Sequence, residues 1–201
     1  MPNWISNNIT LSGNEEDLKK IKELVKSEHS EFDFNKIIKC PDELNDNTSP
    51  LHKKEGETDK DFKEKTRRFI KEYGSDNWYD WCIYNWGTKW NASNDSLSYE
   101  GLENISFDTA WSTPMRVLIK LSEMFPKVKI EVDYADEDLG NNCGTYVLLN
   151  GEEISYEEKD LKFAAEMQGY SVGKCSKCGK EIVNYEELPE EELVCYECEN
   201  K

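Results

Sequence analysis

Two C-x-x-C pairs, Cys175-Ser-Lys-Cys178 and Cys195-Tyr-Glu-Cys198, are the residues of this chain best suited to chemistry, with 16 residues between them. A C-x-x-C turn lets two sulfurs point at one cation, and Gly179 after the first pair permits the tight backbone turn. The spacing falls inside the range of four-cysteine zinc sites. Four thiolates leave no open coordination position, so Cys175, Cys178, Cys195 and Cys198 are expected to hold structural Zn2+ rather than a catalytic ion. Redox, disulfide and iron–sulfur readings are weaker. A redox C-x-x-C belongs in a strand-to-helix context, a disulfide needs an oxidising compartment, and cluster spacings differ. About 30 residues cannot bury much apolar surface, so metal must supply most of the folding free energy here.

A second candidate is the aromatic run from Trp78 to Trp90, which holds four of the six tryptophans. Stacked aromatics with nearby polar groups can bind single-stranded nucleic acid or sugars. In a mixed domain the same density more often means core packing. A groove built here would draw on Trp78, Asp80, Trp81, Asn85, Trp86, Lys89, Trp90 and Trp111.

Other chemistry is poorly represented. The two histidines, His29 and His52, sit near a helix end and in a polar loop. No phosphate loop, nucleophile elbow, zincin or dinucleotide motif occurs. Cys82 and Cys143 read as buried thiols without a histidine partner. Asp133, Asp136, Glu137 and Asp138 lack a calcium-loop spacing and read as a solvated acidic loop. No catalytic residue is assigned.

The formal net charge is −17, with 37% hydrophobic and 33% charged residues. Such a field repels nucleic acid at long range and attracts basic partners. No apolar run approaches a membrane span, and the first residues show no secretory signal, so a cytoplasmic location with reduced thiols is expected.

These residues must be positioned by the elements around them. Residues 4–11 alternate as a strand, and Asn14 caps a helix carrying Leu18, Ile21, Leu24 and Val25 on one face. Residues 32–38 alternate again and predict a second strand ended by Cys40-Pro41. An insertion at about 42–72 combines a polar loop with a charged surface helix over 59–73. Strands are expected over 97–99, 105–111, 128–134, 145–149 and near Ile154 and Tyr156. Pro114 opens a helix capped by Ser112 or Thr113, and a short helix covers 157–168. In the ribbon, residues 182–185 are expected to pair with Leu193-Val194. The whole predicts an α+β sandwich over 1–168, with helices on one face of an antiparallel sheet, and a zinc ribbon over 171–201.

Met1-Pro-Asn-Trp4 with Ser6-Asn7, Trp78-Tyr-Asp-Trp81, Asn85-Trp-Gly-Thr-Lys-Trp90, Phe107-Asp-Thr-Ala-Trp-Ser-Thr-Pro114 and Phe125-Pro126 occur in an order that resembles the YubB ferredoxin-like family of plasmid and phage proteins. The resemblance covers about residues 1–150; Ile5 and Thr113 stand where that family usually has Cys and Pro. It implies a ferredoxin-like sandwich, transfers no catalytic chemistry, and leaves the cysteine tail outside the shared core. With the acidic charge, it leads to a non-enzymatic binding protein of a mobile element that engages a host protein. A nucleic-acid-binding defence complex such as a CRISPR effector is the expected partner, which would make the chain an anti-CRISPR or other anti-defence protein. Single-stranded nucleic acid, met by the tryptophan segment, Lys89 and the basic helix over 60–71, is the alternative partner, and an unrecognised enzyme using Asp80 and Lys89 is the third reading.

Overall fold

The computed structural model describes residues 2–200. Six antiparallel strands form the main sheet: β1 (Trp4–Ser12), β2 (Ser98–Glu100), β3 (Asn104–Ala110), β4 (Lys129–Asp136), β5 (Cys143–Leu149) and β6 (Glu152–Glu158). Their order is β2-β3-β1-β4-β5-β6, so β1 runs in the middle, between β3 and β4. Period-two alternation decides the faces. Ile5, Ile9 and Leu11 of β1, Ile105 and Phe107 of β3, and Ile130 and Val132 of β4 are buried toward the helices.

The helical layer covers that face. Helix α1 (Glu15–Val25) is capped by Asn14, whose side chain accepts from the Asp17 N–H, and it buries Leu18, Ile21 and Val25. Short α2 (Asp42–Asn45) anchors the insertion through buried Leu44, and α3 (Asp59–Tyr73) ends at left-handed Gly74. Helix α4 (Trp78–Trp86) packs beside α5 (Met115–Met124), and α6 (Leu161–Met167) follows β6. On the opposite face of the sheet, Ala164 of α6 joins Ala135 and Cys143 in a second small core.

The structure departs from the sequence reading in six places. Helix α6 lies on the sheet face opposite the other helices, and Asp133 and Asp136 belong to β4, with Asp136 buried, rather than to a solvated loop. Residues 32–38 form no strand. Asp33 caps a single 3-10 turn at Phe34–Lys36, and the flanking Phe32 and Phe34 both plunge into the core. Phe32 stacks on Phe107 at 5.1 Å, and Phe34 meets Trp86 edge-on at 5.6 Å. Alternation arose because two buried aromatics flank a capping aspartate, an arrangement that imitates a half-buried strand. The aromatic run from Trp78 is a helix that the expected element order lacked. Neither Ser112 nor Thr113 caps α5; Pro114 takes that position without a side-chain bond, because Thr109 Oγ1 binds the Ser112 carbonyl and Ser112 Oγ reaches Gly87. Finally, the second sheet pairs β7 (Ser171–Lys174) with β8 (Glu181–Asn184), so the partner of the expected 182–185 strand precedes the first cysteines. Leu193 instead packs its side chain against Gly173, where a Cβ would lie 2.5 Å from it.

Candidate metal centre and aromatic surface

The β7–β8 hairpin brings the first cysteine pair to its turn. The Gly179 N–H donates to the Cys175 carbonyl at 2.8 Å, with Gly179 at φ 75°, the left-handed turn expected after a C-x-x-C. The second pair opens the short helix α7 (Tyr196–Glu199), and Ser176 N–H bonds the Leu193 carbonyl to tie the two halves. All four sulfurs lie within 4.8 Å of one another, and Cys178 and Cys195 Sγ are 3.7 Å apart. A tetrahedral ion with metal–sulfur bonds of about 2.3 Å requires sulfur–sulfur separations of about 3.8 Å. The donor set therefore fits a tetrathiolate metal site, and it is the one such cluster of metal-binding side chains among the described residues.

The electrostatics agree with that fit. The Cys195 N–H donates to Cys175 Sγ at 3.3 Å, and this bond, with further backbone donors from Cys178 and Lys177, lowers the Cys175 thiol to about 6. Cys198 is raised to about 12, chiefly by its contacts with the Cys195 and Cys178 sulfurs. Cys175 is poised as thiolate while Cys198 resists ionising beside it, a conflict that a bound cation removes.

The tryptophan segment divides into two sets. Trp81 and Trp86 are core residues, edge-to-face at 5.9 Å, with Trp86 Nε1 donating to the Ile38 carbonyl. Asp80 accepts from Asn77 at the start of α4, and Asn85 Nδ2 bonds the Trp81 carbonyl, so both serve the helix locally. Half-buried Trp78 packs on Tyr79. Cys82 and Cys40 are both buried thiols, and Cys40 Sγ meets the Pro41 carbonyl at 3.9 Å. His29 and His52 are exposed.

Lys89, Trp90 and Trp111 do come together, on the surface. Gly87 ends α4 at φ 85°, and buried Thr88 anchors the following loop by donating to the Ala110 carbonyl at 2.7 Å. Lys89 Nζ then lies 4.0 Å from the Trp90 ring centre, 5.0 Å from Trp111 and 5.7 Å from Tyr79. Trp4 extends the group, 6.1 Å from Trp90. Trp111 is 43% exposed although its backbone sits at φ 69°, a conformation costly for a bulky residue. Tyr79 and Trp4 were not among the expected site residues. The signal for Trp4 was its phase: it shares the outward face of β1 with Ser6, Asn8 and Thr10, an indole among polar residues.

Residues 85–174 match the family model described as the ferredoxin-like domain in Api92-like protein. The match ends one residue before Cys175, so the four-cysteine cluster lies outside it. A solved structure, a protein api92 from Yersinia pseudotuberculosis, is similar at 10% identity, with 79% of this chain and 98% of that chain covered and a TM-score of 0.46. Comparison with curated proteins gives no match. The main domain is thus a ferredoxin-like α+β domain with a six-stranded antiparallel sheet, followed by a hairpin bearing four clustered cysteines. No helix among the described residues is long and apolar enough to cross a membrane.

Proposed function

We propose that this chain is a non-enzymatic protein-binding module whose contact surface is the Lys89 aromatic cluster, with Zn2+ as the ion of the four cysteines. The carrying observation is one ammonium, Lys89, set among exposed Trp90 and Trp111 and half-buried Tyr79, with half-buried Trp4 beside Trp90. Trp and Tyr dominate binding hot spots, and strained backbone in a surface residue is more often retained for function than for stability. Beside Trp4 an open cavity of about 480 Å3 is lined by Asp95, Asp108 and Glu137, with no Lys or Arg in its wall. A basic side chain stacked on Trp4 would meet those carboxylates, so the partner is a basic protein surface.

The narrower identity of that partner rests on two further supports, the charge of −17 and the resemblance to plasmid and phage proteins. A host defence complex that binds nucleic acid, such as a CRISPR effector in a bacterial cytoplasm, presents a positively charged channel that an acidic protein fits. Single-stranded nucleic acid fits the same indoles less well, because the cavity and the neighbouring sheet face carry Asp108, Glu131 and Asp133. In α3, moreover, Arg68 is held by Glu43 and Lys65 by Glu57.

The test is affinity capture from host lysate with the native chain and with Lys89→Ala/Trp111→Ala. A stoichiometric protein held by the native chain and lost by the variant is expected. Capture that survives the double change, or tight salt-sensitive binding of oligothymidine instead, would overturn the reading.

A further inference from the structure

The far edge of the main sheet is built differently from its centre. All seven residues of β6, Glu152–Glu158, are exposed, and among the described residues β6 has a strand neighbour only on its β5 side. The Lys159 N–H bonds the Cys143 carbonyl at 3.1 Å, which fixes the phase of the ladder. Residues 155 and 157, in register with Val147 and Thr145, turn their backbone groups toward β5. Tyr156 and Glu158 therefore turn theirs outward, toward the open edge. Such a row of free donors and acceptors is a template for another strand.

Side chains make this edge selective. Tyr134, Tyr146 and Tyr156 stack across β4, β5 and β6 at 5.4 and 4.6 Å, and the Tyr134 and Tyr156 hydroxyls meet at 3.2 Å over Gly144. A Cβ on Gly144 would lie 2.9 Å from the Tyr156 ring, so glycine is what lets the ladder close. The ladder stops at Tyr156, 45% exposed, with one ring face unpartnered at the edge. Four glutamates flank it: Glu152 and Glu153 on one side, Glu157 and Glu158 on the other. Glu157 is paired with Lys159 at 2.6 Å, and β6 itself holds no basic residue.

These charges choose the occupant. A second copy pairing antiparallel about Ser155 would set Glu152 against Glu158 and Glu153 against Glu157, a parallel copy in register would set each against itself, and a copy paired about Tyr156 would still gather the four glutamates of each strand along one seam. Like charges directly opposite are destabilising. The register also slips at Ile154, which leaves Ser155–Glu158 as the straight part of the edge. We infer that β6 docks an extended basic segment of another protein as a seventh strand. The segment carries Lys or Arg on both sides of a short apolar or aromatic centre, which continues the tyrosine ladder. Either strand direction satisfies the flanking charges, because the glutamates lie on both sides. This site lies three strands from β1 and does not depend on the Lys89 cluster.

The experiment titrates a fluorescein-labelled peptide, Lys-Lys-Val-Tyr-Val-Lys-Lys, into the full chain and follows anisotropy and backbone amide shifts. A second peptide, with proline in place of the central tyrosine, keeps the charge but cannot pair as a strand. The tyrosine peptide should bind roughly tenfold tighter than the proline one, the worth of one or two edge hydrogen bonds. Its shifts should centre on Tyr156 and Glu158. The variant Glu152→Lys/Glu153→Lys/Glu158→Lys, changed only at exposed positions, should lose that binding, and Trp111→Ala should keep it. Equal affinity for the two peptides, binding unchanged in the lysine variant, loss with Trp111→Ala, or self-association through β6 would each overturn the inference. Failure here with capture by the Lys89 cluster intact would leave the proposed function standing.

Discussion

The sheet domain and the cysteine hairpin are two solutions to the same problem in one chain. The first buries Phe32, Phe34, Phe107, Leu118 and Leu121 in a continuous core beneath α1, α4 and α5. The second has two four-residue strands, and between Ser171 and Asn200 only Cys175, Asn184, Leu193 and Cys195 are buried. Burial at roughly 25 cal/mol per Å2 can hold the one and cannot hold the other. What stands in for a core in the hairpin is the convergence of four sulfurs. The two regions should therefore fail under different insults.

Removing metal is the strongest way to separate them. Structural zinc contributes roughly 10–16 kcal/mol of apparent binding free energy in small domains, more than the hairpin could otherwise muster. Chelation, or Cys175→Ser with Cys178→Ser, should abolish amide protection over 171–200 while protection in β1, β3 and β4 persists, as read by hydrogen exchange. Simultaneous loss in both regions would show that the hairpin is part of the main fold. The contacts of α6 with β7 and of Tyr170 with Tyr185 at 5.0 Å are where such coupling would run. Cobalt added to the metal-free chain should give the intense charge-transfer absorption of a tetrathiolate site; its absence would remove the metal assignment.

The converse insult is a hole in the core. Phe107 stacks on Phe32 and meets Phe34 at 5.9 Å, so Phe107→Ala should cost about 3–5 kcal/mol in urea unfolding. Cobalt affinity of the hairpin should stay unchanged while the domain remains folded. A parallel fall in both would break the comparison.

A smaller effect sharpens the contrast between what is kept for stability and what is kept for contact. Trp111 occupies φ 69°, where glycine is relaxed and an indole is not. Trp111→Gly removes that strain together with the edge-on contact to Tyr79 at 6.2 Å and the contact with Lys89. The opposing changes should leave stability within about 1 kcal/mol of the native chain, while partner capture is lost. A large destabilisation would make Trp111 a structural residue and take away the argument from strain.

The sequence made some of this plain and hid the rest for identifiable reasons. The cysteine spacing declared its geometry because covalent chemistry fixes how C-x-x-C can turn. The alternation of β1, β3 and β4 and the Asn14 cap are local signals and were readable as such. The Phe32–Ile38 segment misled because two buried aromatics around Asp33 carry a strand's period without a strand's pairing. In the tryptophan run the residues reach opposite destinations, Trp86 to the core and Trp90 to the surface, since the chain leaves its helix at Gly87 between them. Nothing in the residue types announces that exit. The open edge at β6 was invisible for a different reason: it depends on which strand comes last in the sheet, a long-range fact.

The least disruptive way to probe the main domain is by acid. Glu43 of α2 accepts from the Arg68 guanidinium of α3 and from the Tyr73 hydroxyl, and the arginine bond foremost lowers its carboxyl from 4.5 to about 2. The folded state thus favours the carboxylate. Its contribution is complete above about pH 4.5 and is lost as the pH falls toward 2. Because the pair is exposed, the effect is small and weakened by salt. Urea midpoints at pH 6 and pH 3 should therefore differ less in Glu43→Gln than in the native chain, and the excess should shrink in high salt. The comparison between regions predicts a further asymmetry. Acid also competes with a bound cation for the cysteine sulfurs, so the hairpin should release its ion before the α2–α3 tie gives way. If the tie fails first, the insertion rather than the cysteine cluster is the weaker attachment.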